Sequence, residues 1–218
     1  VRNACLKSLN DLRLNYLDLY LIHFPISLKY VDFNDRYPPE WIFDPTAKTP
    51  SMELDYVPLY ETWSAMESLR HEGLVREIGV CNYNSGLIHD LVAYANIRPA
   101  MLQVESHPLF NQQRLIATAE SYDIPITAFS PLGGESYLEI AMASRSESLL
   151  NNSVITAIAD RFDRTPAQVV LRWGVQRGTA VLPRTSCRQH LKENLALFDW
   201  SLSDADMDRI YSLNMNRR

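Results

Sequence analysis

Several side chains able to hold a small polar molecule sit directly at the ends of short apolar runs. His23 follows residues 16–22 (YLDLYLI) and Asn82 follows 76–80 (REIGV). Gln103, Glu105 and His107 lie in and just beyond 101–105 (MLQVE), Ser130 follows 125–129 (PITAF), and Arg184, Thr185 and Ser186 follow 180–183 (AVLP). An imidazole can polarise a carbonyl or move a proton, a carboxamide can pair with another amide, and a guanidinium beside hydroxyls can grip a phosphate. Taken singly these residues say little, because a histidine after an apolar run is most often structural and loops are polar by default. Together they fit a small-molecule site about as well as they fit ordinary polar loops.

Helical patterns separate the apolar runs. Residues 1–12 (VRNACLKSLNDL) place Val1, Cys5, Leu9 and Leu12 at spacings of three and four, one face of a helix. That helix is already under way at a residue other than Met, so the natural amino terminus is expected upstream or the chain is a fragment. Residues 26–57 are polar, contain Pro38, Pro39, Pro45 and Pro50, and are too long for a plain connection, so they read as disordered or as a functional lid. An amphipathic helix is predicted over 59–71, with Leu59, Trp63, Met66 and Leu69 inward and Gly73 closing it. Further helices are predicted over 85–94 (Leu87, Leu91 and Val92 inward), 112–122, 154–162, 166–177, 188–196 and 203–213. Thr165 caps the fourth of these ahead of Pro166, and Ser203 caps the last, with Asp206 three residues on. Residues 130–148 read as a loop.

Strand followed by helix, repeated, predicts parallel βα units. Strands are expected near residues 17, 76, 101, 125 and 180, and no Gly-x-Gly-x-x-Gly follows any of them, which argues against a Rossmann sheet. A (β/α)8 barrel needs eight strands and about 250 residues. The pattern fits a barrel short of three βα units, and an open five-stranded sheet fits nearly as well. The 218 residues are 46% hydrophobic, enough for a sizeable core in one domain, 1–218. Only 22% are charged and the net charge is -5, which argues against disorder and against a nucleic-acid partner. Cys5, Cys81 and Cys187 are too dispersed for a disulfide framework or a metal site, so a reducing, cytoplasmic compartment is expected. No apolar run approaches the roughly 20 residues of a membrane helix, and no signal peptide opens the chain, so no membrane partner is expected.

Five motifs then carry a resemblance. Leu21-Ile22-His23-Phe24-Pro25, Gly79-Val80-Cys81-Asn82-Tyr83, Leu102-Gln103-Val104-Glu105 with His107-Pro108, Phe129-Ser130-Pro131-Leu132-Gly133 and Leu182-Pro183-Arg184-Thr185 resemble the aldo-keto reductases in order and spacing. The likeness runs over essentially the whole chain, and residues 26–39 (ISLKYVDFNDRYPP) are similar to the xylose reductase branch. The resemblance implies an α/β fold, a (β/α)8 TIM barrel that binds NADP(H), with NAD(H) a further candidate, without a Rossmann motif. It also implies a tetrad of Asp, Tyr, Lys and His. His23 matches the histidine; the other three belong to the family's first three βα units, the same units that the strand count finds missing. An incomplete barrel, inactive by itself, is therefore expected, and 213–218 (LNMNRR) is short for the family's substrate-covering tail.

The resemblance assigns roles residue by residue. His23 would orient and polarise the carbonyl, and Phe24 would line the substrate pocket. Asn82 and Gln103 would hold the nicotinamide carboxamide, with Cys81 where the family usually has Ser. Phe129 would stack on the ring, and Ser130, Leu132 and Gly133 would lie along the pyrophosphate. Arg184 and Thr185, with Ser186 beside them, stand where Lys and Ser commonly hold the adenosine 2′-phosphate. His190 replaces a second Arg, which loosens the preference for NADP. Glu193 and Asn194 would contact the adenine. The implied activity is reduction of aldehydes or open-chain, xylose-like aldoses to alcohols by hydride transfer from NADPH or NADH. The expected partner is a small carbonyl compound, the expected protein a monomer or homodimer, with no metal. The competing readings are a non-catalytic, regulatory nicotinamide-binding relative and an inactive truncated product with unpaired strand edges.

Overall fold

The computed structural model describes residues 1–36, 42–133 and 148–216. They form two compact units, Val1–Ala100 and Met101–Arg218. The first contains helix α1 (Arg2–Leu12), strand β1 (Leu17–Ile22), helix α2 (Leu59–His71), strand β2 (Val75–Cys81) and helix α3 (Ser85–Tyr94). Strands β1 and β2 pair in parallel, Leu17 opposite Val75 and Ile22 opposite Val80. A parallel pair needs a crossover, and α2 supplies it. Trp63, Met66 and Leu69 are buried on its inner face, while Gly73, at φ 74, takes the left-handed position that ends the helix. Glu67 lies on the same face, where its carboxylate accepts from the Ile97 backbone N–H at 2.8 Å and from Asn96 Nδ2 at 3.2 Å. Trp63 Nε1 donates to the Ile97 carbonyl at 3.1 Å, so α2 fixes the turn after α3 twice over.

Two helix faces differ from the expected ones. In α1 only Cys5 and Leu9 are buried, while Val1 and Leu12 are 46% and 59% exposed. In α3 the fully buried residues are Ile88 and Leu91, with Leu87 and Val92 only half-buried, because four apolar residues in this helix permit two phases. The base of the 26–57 segment is ordered. Leu28 and Leu54 form an antiparallel bridge, Lys29 N donates to the Glu53 carbonyl at 2.8 Å, and the Lys29 ammonium lies 2.6 Å from the Glu53 carboxylate.

The second unit contains β3 (Leu102–Glu105), α4 (Gln113–Glu120), β4 (Ile126–Phe129), a single 3-10 turn at Leu149–Asn151, α5 (Ser153–Phe162), α6 (Pro166–Gln176), β5 (Ala180–Leu182), α7 (Arg188–Leu195) and α8 (Asp204–Tyr211). Its strands are again parallel, with Glu105 opposite Phe129 and Phe129 opposite Leu182. The expected strands and helices appear within a few residues of their predicted ends; of the 130–148 loop, residues 134–147 lie outside the described residues. Leu149, Ile155, Ile158, Val169, Trp173 and Ile210 build the core between α5, α6 and α8. Among the described residues no helix is long and apolar enough to cross a membrane.

Caps set the helix starts. Thr165 Oγ1 accepts from Gln168 N at 3.2 Å while Gln168 Oε1 accepts from Thr165 N at 3.0 Å, a full capping box. Gln168 reaches further, donating through Nε2 to the carbonyls of Glu193 and Ala196, so the start of α6 holds the end of α7. Ser203 caps α8 and donates to the buried Asp206 carboxylate at 2.7 Å, which also accepts from the Arg161 guanidinium. Burial alone would raise the Asp206 pKa, but the Ser203 and Arg161 bonds outweigh it and hold the carboxyl below its ordinary value.

Two outcomes follow from this packing. A Cβ added at Gly174 would stand 2.8 Å from Val181 Cγ1, a branched atom close to the β5 backbone. Gly174→Ala should lower unfolding stability by about 1–3 kcal/mol, and Val181→Ala in the same chain should recover part of that, as read by urea denaturation. The lowered Asp206 pKa means that the unfolded state takes up its proton first on acidification. Its contribution to stability is present above the unfolded carboxylate range and is lost as pH falls below about 4. Asp206→Asn should therefore destabilise the protein near neutral pH and flatten the acid limb of a stability-versus-pH curve.

Candidate functional site

In the first unit the parallel register brings the ends of β1 and β2 side by side, and with them His23 and Asn82. Asn82 adopts φ 60, a left-handed conformation that Asn tolerates better than most residues. Its Nδ2 donates to the His23 carbonyl at 2.9 Å, tying the two strand ends together. The His23 and Phe24 rings lie 4.5 Å apart, tilted by 31°. Cys81, the preceding residue, turns into the core at 5% exposure, and burial pushes its thiol up to about 11. It is a neutral thiol packed in the interior, not an ion.

In the second unit Gln103 on β3 and Phe129 at the end of β4 are half-buried on neighbouring strands. Ser130 has φ 47 and Gly133 φ 73, and Gly133 N donates to the Ser130 carbonyl at 2.9 Å, a tight turn that leads away from β4. The Gly133 backbone approaches Leu149, whose Cβ would lie 3.5 Å from any added Cβ.

A pocket of 330 Å³ opens beyond this turn, and it gathers Leu132, Arg184, Thr185, His190, Glu193 and Asn194. Ser186, exposed beside Thr185, is not part of its wall. Thr185 Oγ1 accepts from Cys187 N at 3.0 Å and lies 3.4 Å from His190 Nδ1. Glu193 Oε1 accepts from Gln189 Nε2 at 2.9 Å, which occupies its carboxylate one turn back along α7. The pocket wall thus includes a guanidinium, a hydroxyl, an imidazole, a carboxylate and a carboxamide. A guanidinium beside a hydroxyl suits a phosphate, and a carboxylate or carboxamide suits an amino-substituted heterocycle.

Sequence reading missed the other walls, formed by Leu150, Asn151, Thr165, Pro166 and Ala167. Thr165-Pro166 was visible as a helix start, but nothing in its spacing indicates that this start faces the 184–194 segment. Two other strand-end residues prove to be interior. Glu105 and His107 are 5% and 3% exposed and pair with each other at 3.3 Å. His107 closes a short turn with Phe110 through backbone bonds in both directions, and Gln112 Nε2 donates to the Glu105 carbonyl. They support the end of β3 and do not line the rim.

Known proteins are similar to this chain as a whole. The family model for the aldo/keto reductase family matches residues 1–215. An NAD(P)H-dependent D-xylose reductase of Aspergillus niger is 42% identical, aligned to all of this chain and to 68% of its own length. A probable D-xylose reductase of Aspergillus fumigatus is also 42% identical, with 69% of its length covered. The structure of an aldose reductase from Schistosoma japonicum superposes with a TM-score of 0.84 at 37% identity, over 100% of this chain and 64% of that one. The chain thus spans about two thirds of the length of the proteins it resembles, and a solved α/β structure reproduces its backbone throughout. The chain belongs to the aldo/keto reductase family.

Proposed function

We propose that the protein reduces aldehydes or open-chain aldoses of the xylose type to alcohols, with NADPH or NADH as hydride donor. The observation that carries this reading is the Asn82 amide clamped on the His23 carbonyl at the paired ends of β1 and β2. The names of the relatives support it, since those at 42% identity are NAD(P)H-dependent D-xylose reductases. Those relatives are longer, and this chain spans 68% of the length of the Aspergillus niger enzyme.

A nicotinamide, when bound, would supply a hydride to the carbonyl carbon of the substrate. Negative charge then grows on the carbonyl oxygen, and His23 donates a ring N–H to it. Asn82 spends one amide hydrogen on the His23 carbonyl, which holds the histidine's backbone, and offers its Oδ1 to the cofactor carboxamide. Gln103 would likewise suit a carboxamide of the cofactor. Cys81, neutral and buried, contributes packing beneath the clamp and leaves the hydrogen bonding to Asn82. Phe129 presents a ring face to the nicotinamide, which needs no hydroxyl. Phe24 forms an apolar wall for the substrate. Arg184 and Thr185 would hold a phosphate, and Glu193 with Asn194 would meet the adenine edge; all four line one pocket.

The complete encoded protein, given xylose and a simple aromatic aldehyde in turn, should oxidise NADPH or NADH with at least one of them. Silence with both substrates and both cofactors would sink the reading. His23→Ala should lower kcat/KM by about 10²–10⁴-fold. Cofactor dissociation constants should stay within about threefold, because the lost contact is to the carbonyl.

A further inference from the structure

The loop that follows β3 is fastened by groups that the proposed reaction does not use. We propose that Arg177 is a positioning residue that acts through Asn111 and Asn214. It sets the loop after β3 against residues 214–216, and thereby the size of carbonyl compound that the protein accepts. The inference rests on the reductase reading above and adds a determinant of specificity to it.

Backbone pairing with β4 ends at Glu105, so Gln103 is fixed by the ladder itself. Beyond that point the chain needs other partners. Inside the loop, His107 and Phe110 exchange backbone bonds, and Gln112 Nε2 donates to the Glu105 carbonyl at 3.1 Å. From outside it, Arg177 Nη2 donates to the Asn111 carbonyl at 2.7 Å, an oxygen that the Ser106 hydroxyl reaches only at 3.5 Å. The Asn111 N–H in turn donates to Asn214 Oδ1 at 3.2 Å, and Met215 N donates to the Leu109 carbonyl at 3.0 Å. Residues 214–216 thus run beside the loop. Asn111, 4% exposed, joins both to Arg177.

Packing alone does not call for an arginine here. The guanidinium lies over the rings of Trp173 and Tyr211, 4.4 Å and 5.4 Å from their centroids, and the two rings are inclined to each other by 68°. Its Nη1 is buried without a hydrogen-bond partner among the described residues. A methionine would pack against the same rings without burying a charged donor that has no acceptor. What methionine cannot supply is the charge-assisted bond to the Asn111 carbonyl. In parallel α/β folds the loops at the carboxyl ends of the strands wall the ligand site, and the loop after β3 is one of them. A bulky substrate meets such a wall before a small one does, whereas Gln103 is held by the ladder. Arg177 therefore acts on the choice of substrate and not on cofactor affinity.

The complete encoded protein should be assayed with a short aliphatic aldehyde and a bulky aromatic one, beside Arg177→Met, Asn214→Ala and the double variant. In each single variant the ratio of kcat/KM for the two aldehydes should change by about fivefold, carried by the KM of the bulky one. The double variant should change it by about as much as either single, because both act through Asn111. Dissociation constants for NADPH and NADH should stay within about threefold, and urea midpoints close to that of the wild type. Arg177→Lys, which keeps a charged donor, should recover part of the wild-type ratio. An unchanged ratio in folded Arg177→Met, or single effects that multiply in the double variant, overturns this inference alone. Should Arg177→Met fail to fold, the ratio in Asn214→Ala decides, and an unchanged value overturns the inference. Silence of the wild type with both aldehydes and both cofactors overturns the reductase reading and this inference together.

Discussion

Parallel register is the constraint from which the candidate site follows. Two strands that run the same way must leave their ladder at the same edge, so the residues after them emerge as neighbours whatever their separation in sequence. Ile22 opposite Val80 places His23 next to Cys81 and Asn82, across almost sixty residues of intervening chain. Glu105 opposite Phe129, and Phe129 opposite Leu182, do the same for the turn at Ser130 and the loop that begins at Pro183. A shift of one residue in either register would move these side chains to the opposite face of their strands. Chemistry at strand ends is thus an outcome of backbone hydrogen bonding first and of side-chain choice second.

What keeps the edges in place is a set of polar side chains that reach from helices to loop backbones. Glu67 and Trp63 fasten residues 96–97 from α2, and Gln168 fastens the end of α7 from α6. Arg177 works similarly, donating to the Asn111 carbonyl at 2.7 Å while its guanidinium lies over the Trp173 ring at 4.4 Å. Burial lowers the Arg177 pKa, and stacking between aromatic faces compensates for lost water contacts. Of the pocket residues, Arg184 and Thr185 stand on the loop after β5, while His190, Glu193 and Asn194 belong to α7.

Much of this was legible from residue order because apolar periodicity differs between strand and helix. The helix at 59–71 and the strand starts came from spacing, and Thr165-Pro166 announced α6. The capping box was readable too, as Thr165 and Gln168 stand three residues apart, yet the second task of Gln168 on α7 is tertiary and has no local signature. Glu105 and His107 show the opposite failure. Their place after an apolar run is the same as that of His23, and only three-dimensional packing decides that they turn inward. In α3 the run Leu87, Ile88, Leu91, Val92 is apolar on two overlapping faces, so phase could not be fixed without the sheet beneath it. Roles in cofactor binding came from resemblance, since a polar strand end alone does not distinguish a carboxamide clamp from a loop.

The scarcity of glycine at these strand ends has a physical consequence. A glycine-rich phosphate turn presents backbone N–H groups, whose number and charge are the same at every pH. Here the pocket residues Arg184, Thr185 and His190 present side chains, mounted on a loop and on a helix with no buried residue. Such a grip can be exchanged residue by residue without disturbing the core, because α7 is held by Gln168 at its far end and not by its first turn. A pocket walled by side chains therefore trades the invariance of a peptide nest for a surface that responds to substitution.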